Sequence, residues 1–337
     1  MRFVLAWVGL LVVVGVAVFA YASRTRLVAE PLCVAESVPE EVRLVGADWV
    51  WLERTAHDAA VVVVRGGRRS VLARHDRVVS MWSSPSLIVW AARDGDVWTV
   101  RSAGLDGSNL AVIAECSGPP FAVWTDGARA AWIADVPVKT KTAADFIPSL
   151  GRHAELWQSR GGKVSRVAVL SEALASAQIV GYREGAYVVA CVRDEGIRCS
   201  ALYAVGTVIP PIRFAGEVGT IRAMMSSNAW IYWTAPSRGS NSLLTGCIRA
   251  ADMSSLKPET IADWLPAGGQ VTETKRGILV IGAGSETAWR IEQDRHIGVP
   301  VPMLPDQWPV GAGGDLLLTV RRANAPGRVA VNTVRIP

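Results

Sequence analysis

Along the chain, short apolar or β-branched runs of five to eight residues alternate with tight polar or glycine-bearing turns. After residue 25 the 3.6-residue spacing of an amphipathic helix is suggested only by a weak turn at Ser171 to Ala177. Runs of this length bounded by Gly, Pro, Asn and Asp read as strands with hairpin punctuation. One kind of run recurs. Ala229 to Pro236 reads Ala-Trp-Ile-Tyr-Trp-Thr-Ala-Pro, and the same strand can be laid on Trp51, Trp90, Trp132 and Trp233, and without the Trp on Ala190, Ile281 and Thr319. The successive spacings are 39, 42, 58, 43, 48 and 38 residues, the period of a blade of four strands. The pattern therefore predicts an all-β chain, a β-propeller of seven blades with six or eight as the alternative counts, spanning residues 41–337. The seventh unit ends at Pro337 one strand short. Propellers hide such an edge by borrowing a strand from the other terminus, and Leu27 to Ala35, within the linker of residues 26–40, is the expected donor. Because Trp51, Trp90, Trp132 and Trp233 share one strand position, they are expected to pack between blades as core, with Trp82, Trp264 and Trp308 as the more exposed aromatics.

The first 25 residues break the strand pattern. Phe3 to Ala22 is an uncharged run of twenty residues, which as a helix reaches about 30 Å, the thickness of bilayer hydrocarbon. It predicts a transmembrane anchor holding the propeller outside the inner membrane. A secretory signal cleaved after Ala20-Tyr21-Ala22 is the alternative, and would give a secreted protein.

Charge changes the picture little. The chain has 35 basic and 30 acidic side chains, a net charge of +5, interspersed along its length. A nucleic-acid footprint needs clustered Lys and Arg, so no nucleic-acid partner is expected. Of five cysteines, Cys191 and Cys199 lie symmetrically about Glu195. A turn there would set them opposite one another on a hairpin, where a disulfide and two separate buried thiols are both open; a disulfide would point to an oxidising compartment.

The chemistry-bearing motifs are missing. There is no G-x-S-x-G, H-E-x-x-H, G-x-x-x-x-G-K-[ST] or paired C-x-x-C, and His57, His75, His153 and His296 sit in four units in loop contexts. No cofactor, metal set or catalytic residue is therefore expected. The inner-strand segments Phe121 to Trp124, Gln178 to Val180 and Ile221 to Met225 are mostly apolar, which favours binding over catalysis. The one irregular spacing, 58 residues, comes from an insertion at Val136 to His153. Long connections tend to carry function. Here Phe146, Ile147 and Leu150 form an apolar tip beside Lys139 and Lys141, and these five residues are the expected contact with a protein or cell-envelope partner.

Two units also resemble the YWTD repeats of low-density-lipoprotein-receptor-type propellers and related bacterial surface proteins. Ile231-Tyr232-Trp233-Thr234, followed by Cys247-Ile248-Arg249-Ala250-Ala251-Asp252-Met253, is similar to that family's strand pair, and Val100 to Asn109 is similar to its turn. Ala235 replaces the motif's aspartate. The resemblance implies a propeller, in a family that usually has six blades, and a habit of binding proteins or small ligands. The expected function is a non-enzymatic interaction module at the bacterial envelope; the alternative is a propeller hydrolase or lyase with its site at the central channel.

Overall fold

The computed structural model describes residues 28–137 and 152–336, apart from short stretches at 171–173, 184, 196, 207–211, 219–221, 226–229, 238–239, 248–258, 266–269, 275–276, 283–286, 293–296 and 324–326. Its secondary structure is built of strands. The first, β1 (Ala29–Ala35), is followed by seven groups. They are β2 (Glu40–Val45), β3 (Asp48–Arg54), β4 (Ala59–Arg65) and β5 (Arg68–His75); β6 (Arg77–Ser83), β7 (Ile88–Asp94), β8 (Val97–Ala103) and β9 (Ala111–Cys116); β10 (Pro120–Thr125), β11 (Arg129–Pro137), β12 (Arg152–Arg160) and β13 (Lys163–Leu170). Then come β14 (Leu174–Arg183), β15 (Ala186–Glu195), β16 (Ile197–Gly206) and β17 (Ile212–Val218); β18 (Arg222–Met225), β19 (Trp230–Ser237), β20 (Ser240–Cys247) and β21 (Glu259–Leu265). The last are β22 (Gln270–Thr274), β23 (Gly277–Ile281), β24 (Ala288–Glu292) and β25 (Ile297–Val301), and finally β26 (Trp308–Gly313), β27 (Leu316–Arg322) and β28 (Val329–Arg335).

Among the described residues these form seven four-stranded antiparallel sheets, six of them made of four consecutive strands. All seven anchor positions, Trp51, Trp90, Trp132, Ala190, Trp233, Ile281 and Thr319, fall on the second strand of a sheet. The last sheet runs β26-β27-β28-β1: Ala29 pairs with Val334 and Ala35 with Val329, so the N-terminal strand covers the open edge. The first strands pack side by side, β2 on β6, β6 on β10 and so on to β26, which returns to β2. The sheets are thus the blades of a closed propeller.

Two-sided burial explains why the second and third strands read as unbroken apolar runs. Along β4, Ala59, Val61 and Val63 face the layer shared with the second unit, while Ala60, Val62 and Val64 face the layer shared with the last. Trp51 points back to the last unit, Trp90 to the first and Trp132 to the second, each at most 2% exposed. The core therefore lies between blades. A ring of this kind buries roughly 200 Å², about 5 kcal/mol of apolar transfer before entropy is subtracted. Trp82 and Trp308 are half-buried, packed against the inter-blade layers, and the side chains of Trp233 and Trp264 lie outside the described residues.

Two sequence expectations change. The helical turn at Ser171 to Ala177 gives way to strand from Leu174 onward, where β14 pairs with β15 through two register shifts that mask its alternation. The Cys191–Cys199 pairing loses its geometry. Glu195 pairs with Ile197 and is not the centre of the hairpin, so Cys191 faces Ala201 and Cys199 faces Arg193. That offset makes the cysteines diagonal neighbours, about 7–8 Å apart at Cα, beyond the usual reach of a disulfide. Phe3 to Ala22 lies outside the described residues, among which no helix is long and apolar enough to cross a membrane.

Candidate functional site

The inter-blade layers around the first units bury polar atoms that need partners, since an unpaired buried donor costs about 1–3 kcal/mol. Two such sets are structural. In the first unit Glu53 is fully buried and accepts from Trp51 Nε1 at 2.9 Å, Arg69 Nε at 2.9 Å, Arg69 Nη2 at 2.7 Å and the Glu36 amide at 2.9 Å. Glu36 then receives Arg69 at 3.2 Å and Arg74 at 2.7 Å, fastening the residue just after β1 to β5. The nearby Cys33 thiol is pushed up to about 11 by burial and by Glu53, against Arg69. In the second unit Trp90 Nε1 donates to His75 Nε2 at 3.0 Å, and His75 Nδ1 lies 2.9 Å from both Asp94 oxygens. Arg101 donates to Asp94 at 2.9 Å. His75, expected in a solvated loop, is instead 6% exposed at the end of β5. A histidine that closes one strand and reaches into the next blade has no local signature.

The third set sits where β2 meets β6 beside the channel. Register in β2 slips by one residue between Glu40 and Arg43, a bulge that opens at Glu41, whose φ is 50°. A non-glycine residue there is strained, and bulges re-aim side chains. Val42 and Leu44 face the last unit so closely that a Cβ at Gly311 or Gly313 would come within 2.4 or 2.3 Å of theirs. Glu41 and Arg43 therefore face β6. Glu41 Oε2 accepts the Met81 amide at 2.6 Å. Arg54 binds the Val78 carbonyl through Nε at 3.2 Å and Nη2 at 2.9 Å, pairs with Glu40, and lies 3.9 Å from Glu41. Burial pushes the Glu41 carboxyl up to about 7, with the Met81 amide, Arg54 and Arg43 pulling the other way and Glu40 adding to the rise. Even so, 32% of its side chain, 44% of Glu40's and 34% of Arg54's meet solvent. Arg43 stacks on Trp82, its guanidinium carbon 3.3 Å from the ring centroid, and burial brings it down to about 10. Its Nε is buried with no hydrogen-bond partner among the described residues.

This set is hidden in the sequence because the apolar inner strands Phe121 to Trp124, Gln178 to Val180 and Ile221 to Met225 belong to other blades. The signal was present: in Glu41-Val42-Arg43, two charges straddle an apolar residue at a two-residue interval on a first strand. The expected partner contact is elsewhere. Lys139, Lys141, Phe146, Ile147 and Leu150 lie outside the described residues, between β11 and β12, whose paired ends are Pro137 and Arg152. That connection leaves the end of the propeller where the first strands begin, the end that carries Glu40 and Glu41. The structure thus brings the charged set and the root of the insertion to one face.

No family model and no curated protein matches the chain, so the YWTD-like residues carry no family membership. Solved structures do match. An oligogalacturonate lyase in complex with manganese is 10% identical, with a TM-score of 0.58 over 87% of this chain and 86% of the other. The oligogalacturonate lyase of Vibrio parahaemolyticus is 9% identical, with a TM-score of 0.59 over 93% and 92%. The β-propeller domain of the trilobed protease of Pyrococcus furiosus, described as having an open velcro topology, is 11% identical, with a TM-score of 0.57 over 88% and 92%. At these identities the likeness is one of fold, and in this chain β1 closes the ring.

Proposed function

We propose that the protein is an exported propeller enzyme of the hydrolase or lyase sort, cleaving a small ligand at the channel end between the first two blades, with Glu41 as proton donor. The observation that carries this reading is a solvent-reached carboxyl held near neutrality on a strained bulge. Perturbed, strained acids of this kind gather at active sites, and a proton donor works best near the ambient pH. Propellers among the fold neighbours belong to lyases and proteases, which supports a catalytic use of the fold by analogy. Phe3 to Ala22 supports export, as an inner-membrane anchor with the propeller in the periplasm. The test is incubation with oligouronides, neutral oligosaccharides and short peptides, products being read by mass. Cleavage that falls away as pH rises through about 7 and is lost in Glu41→Gln is expected; cleavage unaffected by Glu41→Gln overturns the assignment.

A second reading is an interaction module at the envelope, favoured by the insertion that leaves the same face. Its apolar tip, Phe146 and Ile147, and the flanking Lys139 and Lys141 would meet a protein or envelope partner. The YWTD-like segments support neither reading directly: Gly104 to Asn109 is a turn tied by Ser108 to Asp106, away from Glu41. Phe146→Ala tested by pull-down from solubilised membranes separates the two readings, since loss of a captured partner with the fold intact supports the module.

A further inference from the structure

We infer that the ligand received beside Glu41 is a carboxylate, with Arg43 as the charge that holds it; this rests on the site assigned above. Three observations converge. Arg43 has a buried Nε with no hydrogen-bond partner among the described residues, and a guanidinium offers five donors in a planar fork that matches a carboxylate. Stacking on Trp82 fixes the plane of that fork without using its N–H groups. Its neighbours do not neutralise it by a direct pair: Arg54 takes Glu40 and the Val78 carbonyl, and Glu41 takes the Met81 amide.

Charge count sets the ligand class. The groups facing Glu41 are Glu40 and Arg43 from β2, Arg54 from β3 and the Met81 amide from β6. With Glu41 protonated, Arg43 is left as the uncompensated charge, and it matches one negative charge. A phosphate dianion would add a second charge against Glu40. Ionisation of Glu41 supplies Arg43 with an internal counter-ion that competes with the ligand. Binding is therefore coupled to retention of the Glu41 proton, and the same protonation state serves binding and proton donation.

The experiment is calorimetric titration of the full chain with four probes: a uronate trimer, its methyl ester, a tripeptide with a free C-terminus, and that tripeptide as its amide. Either free acid should bind at least about tenfold more tightly than its neutral form, and the acid that binds tells a saccharide source from a peptide one. Affinity should fall as pH rises through about 7, toward tenfold per unit. Arg43→Gln should lose the preference for the acid. Glu41→Gln, which remains neutral, should keep the preference and lose the pH dependence, so it reports on a folded site even if Arg43→Gln is unstable. Equal binding of acid and ester, no binding of either acid, or an unchanged preference in Arg43→Gln overturns the inference. Carboxylate binding without any turnover sinks the catalytic reading alone. Turnover that needs Glu41 but ignores Arg43 sinks only this one.

Discussion

Glu53 offers the sharpest test of how the blades hold together. Replacing it by Gln keeps the volume but removes the charge, and puts an NH2 group where two of its four donors now point. Charge-assisted hydrogen bonds contribute about 1.5–3 kcal/mol each, and breaking a buried ion pair from one side costs about 3–5 kcal/mol. Arg69 keeps Glu36 at 3.2 Å as a second partner, which pulls the expected loss to the lower end, about 3 kcal/mol. For a chain of this size that is roughly a 4–5 °C fall in melting temperature, read by calorimetry and by denaturant midpoint. The Glu36 amide is one of the four donors, so hydrogen exchange in Ala29–Ala35 should accelerate more than exchange in β7. The double variant Glu53→Leu with Arg69→Met leaves no charge buried alone and should lose less than the two single variants summed, although Trp51 Nε1 and the Glu36 amide still lose their acceptor. A single-variant loss under about 1 kcal/mol, or a double variant whose loss is the sum of its parts, would refute the reasoning.

Other consequences follow from the same geometry. Because the folded Glu41 carboxyl titrates near 7, above its unfolded value of 4.5, the fold binds this proton more tightly than the unfolded chain. Its contribution is full below about 4.5 and is lost as pH rises through about 7; with a third of the side chain in solvent, the loss is about 1–3 kcal/mol. Denaturant titrations from pH 5 to 8 should show this slope in the wild type and a flatter one in Glu41→Gln. Gly311→Ala should cost about 1–3 kcal/mol of stability, because the added methyl meets the Val42 Cβ at 2.4 Å; a neutral effect in thermal unfolding would show that β2 and β26 have room to part. Trp90→Phe removes the indole donor to His75 and should lower stability by at least about 1 kcal/mol, measured by denaturant unfolding, whereas Trp98→Phe, at a half-buried position on β8, removes no hydrogen bond to a buried partner and should cost less.

What the sequence made legible was whatever repeats. Trp51, Trp90 and Trp132 could be aligned because the second strand of each blade is buried on both faces, so its apolar run is unbroken and recurs at one position. The missing fourth strand could be assigned to residues 27–35 because an open sheet edge is costly wherever it occurs. What stayed hidden depends on register and on partners from other blades. Pairing Glu195 with Ile197 moves the centre of the hairpin by a single step, yet it shifts the pairing by two residues and separates Cys191 from Cys199. His75 reads as a loop residue until Asp94 and Trp90 arrive from the next blade.

Two carboxylates of the first blade, Glu53 and Glu41, differ in what their surroundings let them do. Glu53 and Glu41 stand on neighbouring strands, each near an arginine and in an apolar setting, and nothing in the sequence around them says which would bind structure and which would do chemistry. The difference is the number of donors. Four point at Glu53 and none of its surface reaches water, so its charge is spent on holding β1, β3 and β5 together. A single amide points at Glu41, its arginine neighbours are engaged elsewhere or held off, and solvent reaches it at the bulge. A carboxyl so poorly served keeps its proton near neutral pH, and an anionic ligand beside it strengthens that hold until a leaving group takes the proton. That state adds stability only below neutral pH and suits proton donation, and the strained bulge in β2, an irregular part of a regular blade, is where we propose the function.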